Sequence, residues 1–389
     1  MQNTALKTAS SPFTVPLMAL YVIALLSGIS VGLFNPFIST FMAQNNVDDI
    51  WIGANSTIYF LMIALSTSTV AAALERIGLR RTMIFGLTLM GITAPLFPLT
   101  TQLPLWFVIR AVMGLACCFY LVAGQAALNA FCAESNRAVV SGLHAMSFSL
   151  GFGLGPLIGS LFYGESPRLV FLVGGVLMLS GIGIVNLGLP AKSIQFQPVT
   201  RGGLYKKIGL PLQGAFAYGF TVATLVSLYP VYMLQQGYGV SQISQVISIF
   251  VVGGLIATIP ITRLASRFGT LKILGGCGCF FLVAMASQMV LQDLSMLRVA
   301  NLVAGASLSP IFPLALALVG SALPREQLPA GSALFTAMYT AGCTAGPILS
   351  ATVNRTLGNQ YFFAPILILF MIFMLKVLRV QKLTPPTQA

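Results

Sequence analysis

Acidic side chains are scarce in this sequence. Its 389 residues hold seven Asp and Glu, twenty Lys and Arg, and a single histidine. Charged residues make up 7% of the chain, where a soluble domain carries roughly 25%. With 57% of residues hydrophobic, one water-exposed globule of this length could not bury its apolar surface. That excludes a soluble enzyme and leaves an integral membrane protein whose apolar side chains face lipid. The acids are few and all peripheral: Asp48, Asp49, Glu75, Glu134, Glu165, Asp293 and Glu326 fall in expected loops or at helix ends. A proton relay or a cation-binding site built on an intramembrane carboxylate is therefore disfavoured, and an anionic, zwitterionic or neutral solute fits better. The six cysteines (Cys117, Cys118, Cys132, Cys277, Cys279, Cys343) lie in or beside apolar runs. The spacing of Cys277 and Cys279 is not that of a zinc site, so small hydrophobic roles are expected, with no metal and no cofactor. A net charge of +13 invites a nucleic-acid reading, but the cations sit in small clusters between apolar runs and form no basic face, so no nucleic-acid partner is expected. No cleavable leader is expected either: residues 1–13 are polar, and the apolar run after them is too long for a signal peptide.

What the chain has in abundance is apolar runs of spanning length and 38 glycines, the residue that lets helices approach closely in lipid. Twelve spans are expected, near 15–42, 50–74, 82–101, 104–130, 138–163, 167–189, 208–235, 242–264, 272–291, 294–320, 329–353 and 361–380. With both ends placed in the cytoplasm, the inward loops collect sixteen of the twenty basic residues, leaving Arg110, Arg168, Arg298 and Arg355. That bias fixes an even number of crossings with both termini inside. The longest polar stretch, 190–207, contains Pro190, Pro198 and a glycine pair and reads as a cytoplasmic linker between an N-terminal six-helix bundle, 1–189, and a C-terminal one, 208–389.

The two halves match at a constant offset of 191. Arg76 and Gly78 recur as Arg267 and Gly269, Gly114 as Gly305, and Gly151, Gly155 and Pro156 as Gly342, Gly346 and Pro347. Parallel six-helix repeats build one class of secondary transporter, with the solute site at the midplane between halves and alternating access by rocking. The expected fold is thus all-α, twelve transmembrane helices in two pseudo-symmetric six-helix bundles.

The run Ala71 to Arg81 (Ala-Ala-Ala-Leu-Glu-Arg-Ile-Gly-Leu-Arg-Arg) resembles the loop signature between helices 2 and 3 of the major facilitator superfamily. Arg110-Ala-Val-Met-Gly114 resembles that superfamily's helix-4 signature, and Gly142, Gly151, Gly155-Pro156 and Gly159 are similar to its helix-5 exporter signature. The resemblance covers the whole chain. In the second half, Gly305 to Pro313 and Tyr339 to Pro347 are similar to bacterial permeases of the YcaD type. The resemblance implies a solute carrier of a bacterial inner membrane, a monomer by default, with efflux favoured over uptake by the helix-5 pattern. Proton coupling, uptake of a nutrient, and a non-transporting scaffold or receptor stay open as alternatives. It also implies a cytoplasmic latch around Glu75, Arg76, Gly78, Arg80, Arg81 and Arg137, with Arg267 and Gly269 as the second copy. Glu75 stands where the family usually has Asp, Ala71 where it has Gly, and the second copy lacks the acid.

Arg110 is the one charge in the run Leu103 to Ala130. An intramembrane arginine is costly and should face a cavity and find a partner, as an anchor for substrate charge, a conformational gate, or a structural group bonded to carbonyls. His144 is a coupling candidate, because imidazole titrates near neutrality, or else a helix-packing residue; nothing near it suggests a relay. Asn35 before Pro36 and Tyr229 before Pro230 occupy related places, and prolines free backbone carbonyls where a cavity can satisfy them. Tyr59, Gln125, Tyr218, Asn301 (the repeat partner of Arg110) and Tyr339 complete the expected cavity lining, each equally readable as inter-helix glue. Gly142, Gly151, Gly155, Pro156 and Gly159, with Gly342, Gly346 and Pro347, are the expected hinge of the two repeat helices.

Overall fold

The computed structural model describes residues 11–133, 136–190, 204–324 and 327–383. Most of the linker expected at 190–207 lies outside them, as do Lys7, Glu134, Lys192, Arg201, Arg325 and Glu326. Among the described residues there are thirteen α-helices and no strand. They are α1 (Val15–Gln44), α2 (Asp49–Arg76), α3 (Leu79–Thr93), α4 (Leu103–Phe131), α5 (Arg137–Tyr163), α6 (Pro167–Gly188), α7 (Gly209–Gln235), α8 (Val240–Phe268), α9 (Thr270–Ser287), α10 (Leu294–Leu308), α11 (Ile311–Ala322), α12 (Leu328–Leu357) and α13 (Ala364–Leu383). The third span is completed by a 3-10 segment, Ala94–Leu99, where Pro95 and Pro98 withdraw backbone donors. Ser309 and Pro310 divide a single 29-residue span into α10 and α11.

Eleven of the twelve spans are long and apolar enough to cross a bilayer on length and composition alone. The twelfth, α12, is 30 residues long but rich in hydroxyls. Those hydroxyls are internally satisfied: Thr336, Thr340, Thr344, Thr352 and Thr356 each donate to the carbonyl one turn back, at 2.8–3.0 Å. A hydroxyl paired with its own helix carries little desolvation cost into lipid.

The chain separates into two compact units, Met1–Phe41 with Ile58–Gln197 and Met42–Thr57 with Pro198–Ala389. In the first, α1 and α5 meet backbone to backbone. A Cβ at Gly28 would collide with the Phe148 carbonyl oxygen, one at Gly151 with that of Leu25, and one at Gly155 with the Gly32 and Leu33 backbone. In the second, α7 and α12 repeat the contact: Gly219 lies against the Tyr339 carbonyl, Gly342 against that of Phe216, and Gly346 against that of Phe220. Glycine, partner and offset of 191 correspond for Gly28 with Phe148, Gly151 with Leu25, and their second-unit copies. The same holds for Gly114 against the Tyr59 carbonyl and Gly305 against the Phe250 carbonyl. The repeat is therefore preserved at the level of single backbone contacts. Pro156 and Pro347 lie within these helices without ending them.

The first turns of α2 fall in the second unit because they lie antiparallel along α12. Thr57 Oγ1 donates to the Thr344 carbonyl at 2.9 Å, and Gly53 packs on the Pro347 carbonyl and Ala351. Asp49 accepts from Asn354 at 2.5 Å and from Gln235 at 3.1 Å, and Asp48 pairs with Arg355 at 3.5 Å. The repeat-related turns ahead of α3 and α9 hold Gly78 and Gly269 at φ of 80° and 95°, a region that costs any other residue strain.

Gly151→Val is expected to destabilise the protein by at least the ~1–3 kcal/mol of an overpacked core, because the atom struck is backbone. Gly142→Ala, with nothing within 4 Å of its added Cβ, should not. Thermal unfolding of the detergent-solubilised variants separates the two.

Candidate functional site

The repeat glycines set the first-unit site. One turn beyond Arg110, Gly114 lets α2 approach α4 until the Tyr59 backbone touches it. The Tyr59 ring is thereby brought under the Arg110 guanidinium, 4.2 Å from ring centroid to Cζ, a favourable cation–π placement. From α1, Asn35 Oδ1 accepts a hydrogen bond from Arg110 Nη2, while Asn35 Nδ2 donates to the Val31 carbonyl at 2.8 Å. Arg110, Asn35 and Tyr59 are all buried. Arg110 Nε and Nη1 have no acceptor, and among the described residues no carboxylate pairs with this cation. A buried cation with unmet donors is expensive, so the group is held by its surroundings more than it stabilises them.

The polar string continues beyond the expected residues. Cys117 lies beside Tyr59 and Tyr120, and the Tyr120 hydroxyl meets Ser30 Oγ at 3.0 Å. Ser30, Cys117 and Tyr120 were not singled out from sequence. Cys117 and Tyr120 stand seven and ten residues after Arg110, on its buried helix face with Met113 and Gly114, and that spacing was the available signal.

The second unit carries a different solution at the related position. Asn301 Nδ2 donates to Tyr229 Oη at 3.0 Å, to Gln288 Oε1 at 3.1 Å and to the Leu297 carbonyl at 2.9 Å. Tyr229 Oη donates to the same Gln288 oxygen at 2.6 Å. The three groups are buried, neutral and mutually satisfied, and Tyr229 also packs on Tyr232, Phe362 and Phe363. Gln288 was not anticipated; it ends α9 as its C-cap and carries no motif.

The other expected residues are dispersed. Tyr218 and Tyr339 come together in the second unit, 6.0 Å between ring centroids, with Phe312 completing the cluster at 5.2 and 5.5 Å. Gln125 is exposed, and His144 is half-buried; neither makes a hydrogen bond among the described residues. Around the first loop Arg80 alone is engaged: its Nε donates to Asn186 Oδ1 at 3.0 Å and its Nη2 to the Asn186 carbonyl, tying α3 to the end of α6. Glu75, Arg76, Arg81 and Arg137 are exposed, and Glu75 forms no ion pair among the described residues. Arg267 lies over the Phe268 ring at 5.6 Å. No group of His, Cys, Asp and Glu among the described residues could hold a metal.

Comparison with known proteins gives a family and a fold. The family model described as Major Facilitator Superfamily matches residues 20–207 and 212–389. The chain is 24% identical over 380 residues to a protein of Salmonella enteritidis PT4 named uncharacterized MFS-type transporter YcaD, covering 96% of this chain and 98% of the relative. It is 23% identical over 361 residues to the YfkF transporter of Bacillus subtilis, covering 88% and 90%. Among solved structures, the nucleoside transporter NupG superposes with a TM-score of 0.76 at 13% identity, covering 94% of this chain and 99% of that one. A bacterial homologue of the human lysosomal transporter Spinster, inward-facing and occupied, does so with 0.77 at 12% identity, covering 94% and 96%. At such identities the superpositions speak for the fold.

Asn301→Leu should leave Gln288 and Tyr229 without their shared donor and cost about 1–3 kcal/mol. Tyr229→Phe, which removes the two hydrogen bonds of the hydroxyl but leaves the Asn301 donor its Gln288 and Leu297 acceptors, should cost less. Paired thermal melts check the order.

Proposed function

Since the chain belongs to the Major Facilitator Superfamily and is a multi-pass membrane transporter, we propose that it is a secondary active carrier. It moves a small organic solute across a bacterial inner membrane by alternating access, with export favoured. The observation that carries this reading is Arg110, a fully buried guanidinium with one side-chain acceptor, one aromatic face and unmet donors. An intramembrane charge so poorly compensated is a functional group by default. A solute oxygen, from a carboxylate, phosphate or carbonyl, would complete its shell, and a cationic solute would be repelled. Among the described residues no carboxylate pairs with it, which supports the same preference. Asn35 and Tyr59 orient the guanidinium, and Tyr218, Tyr229, Asn301 and Tyr339 offer neutral hydrogen bonds and aromatic surface from the second repeat.

In this reading the bundles 1–189 and 208–389 rock about the linker 190–207, both termini lie in the cytoplasm, and the carrier acts as a monomer. The glycine contacts of α5 and α12 hold each bundle together by close backbone packing, so that each moves as a unit. Glu75, Arg76, Arg81 and Arg137 are exposed cations and an acid free to engage as a latch during the cycle, whereas Arg80 braces α3. The preference for export rests on the helix-5 glycine pattern. A proton, if coupled, does not require His144 in this reading, since His144 makes no hydrogen bond among the described residues.

Arg110→Ala is expected to lower flux about ten- to hundred-fold, the loss of charge-assisted hydrogen bonds, with folded protein in the membrane. The check compares metabolites inside and outside cells that lack the transporter, cells restored with wild type, and cells restored with the variant. Export predicts a solute that accumulates inside without the wild type. Wild-type behaviour of the variant would remove Arg110 from the mechanism. His144→Gln should leave the pH profile of transport unchanged in reconstituted vesicles.

A further inference from the structure

One group of cations is used by neither the fold nor the proposed transport site. Gln381 Nε2, near the end of α13, donates to the Leu271 carbonyl at the start of α9 at 2.6 Å. Gly275 and Gly278 of α9 admit the Gln381, Val377 and Met374 side chains below it. This seam fixes the register of the two helices. Lys272 follows Leu271 and Lys382 follows Gln381, so the hydrogen bond places both residues at one end of one seam. Arg379 lies three residues before Lys382, on the same side of α13. All three are exposed, and none has a hydrogen bond or ion pair among the described residues. Lys376 points elsewhere, its Nζ 3.4 Å from the Gly209 carbonyl.

Nothing described in this unit offsets the three charges. Its described acids stand at the far ends of the same helices: Asp293 follows α9 and caps α10, and Asp48 and Asp49 contact Arg355 and Asn354 just before α13 begins. Beside the cations the exposed face is hydrocarbon, with Phe280 and Val283 on α9 and Met371, Leu375 and Leu378 on α13. Convergent like charges above an apolar face match a ligand with an anionic head and acyl chains.

We propose that the α9–α13 seam binds an anionic phospholipid, whose headgroup phosphate is held by Lys272, Arg379 and Lys382 and whose chains lie along the exposed apolar face. The phosphate relieves the mutual repulsion of three unpaired cations, and the hydrogen bond of Gln381 sets the spacing between the two walls. The site is separate from Arg110 and stands whether or not the solute reading holds.

The test uses the full chain reconstituted in phosphatidylcholine vesicles with a minor fraction of phosphatidylglycerol, extracted in mild detergent and weighed intact by mass spectrometry. Wild type should retain phosphatidylglycerol in excess over phosphatidylcholine. Each neutralised cation should weaken retention about five-fold, and Lys272→Gln/Arg379→Gln/Lys382→Gln together about a hundred-fold. Arg379→Lys/Lys382→Arg, which keeps charge, should retain the lipid, and the single variants serve if the triple one does not fold. Neutralising Arg76, Arg81 and Arg137, equal in charge but in the first unit, should leave retention unchanged. An equal loss in that control would mean diffuse attraction to the bilayer and overturn the site. So would undiminished retention by the triple variant, or displacement of phosphatidylglycerol by inorganic phosphate at matched concentration.

Discussion

Contact between helix backbones, made wherever a glycine faces a carbonyl, is the constraint on which the rest of this molecule depends. In lipid the hydrophobic effect does not press one helix against another, so association rests on close packing and on hydrogen bonds. The pairs α1 with α5 and α7 with α12 meet at glycines whose partners correspond by a single offset in sequence. The pairs α2 with α4 and α8 with α10 do the same through Gly114 and Gly305. These contacts leave no freedom of register, and register decides which polar side chains face one another. Tyr59 lies under Arg110 because its own backbone is seated on Gly114, one turn away.

On that shared frame the two units have diverged in how they treat polarity. The second fills the position related to Arg110 with Asn301 and closes a neutral network through Tyr229 and Gln288 in which the facing groups are satisfied. The first keeps a cation there with one side-chain acceptor. A satisfied network rigidifies, whereas a partly satisfied charge is a standing cost that persists only where something offsets it. Two copies of one scaffold thus carry one satisfied neutral network and one partly satisfied charge. Chemical asymmetry does not require the folds to differ, only one substitution at a position where packing is already decided.

The sequence made the helices and the repeat legible because both are one-dimensional patterns. Apolar runs marked the spans to within a few residues. The spacing of Arg76 with Gly78 and of Arg267 with Gly269 marked turns that the backbone executes with positive φ at both glycines. The resemblance to the superfamily, read from the runs at Ala71–Arg81, Arg110–Gly114 and Gly142–Gly159, agrees with the family model that spans the chain. The site was legible only in part. Arg110 announced itself by charge in an apolar run, and Asn35 by its proline. Gln288, Tyr120 and Cys117 did not, because amides, hydroxyls and thiols of modest polarity are common in spanning helices and acquire meaning from the partner that tertiary packing supplies. Gln125 and His144 are conspicuous by residue type, yet neither makes a hydrogen bond among the described residues.

The threonines of α12 have an effect that reaches past their own helix. By returning each hydroxyl to the carbonyl one turn behind, they make a crossing that is chemically quiet, although length and composition alone do not count it as a span. A topology drawn from that criterion would count eleven passes, and an odd count puts the two ends of the chain on opposite faces of the bilayer where twelve would put them on one. Tags, reporters and antibodies aimed at the C-terminus would then be designed for the opposite side of the membrane from the one that an even count gives.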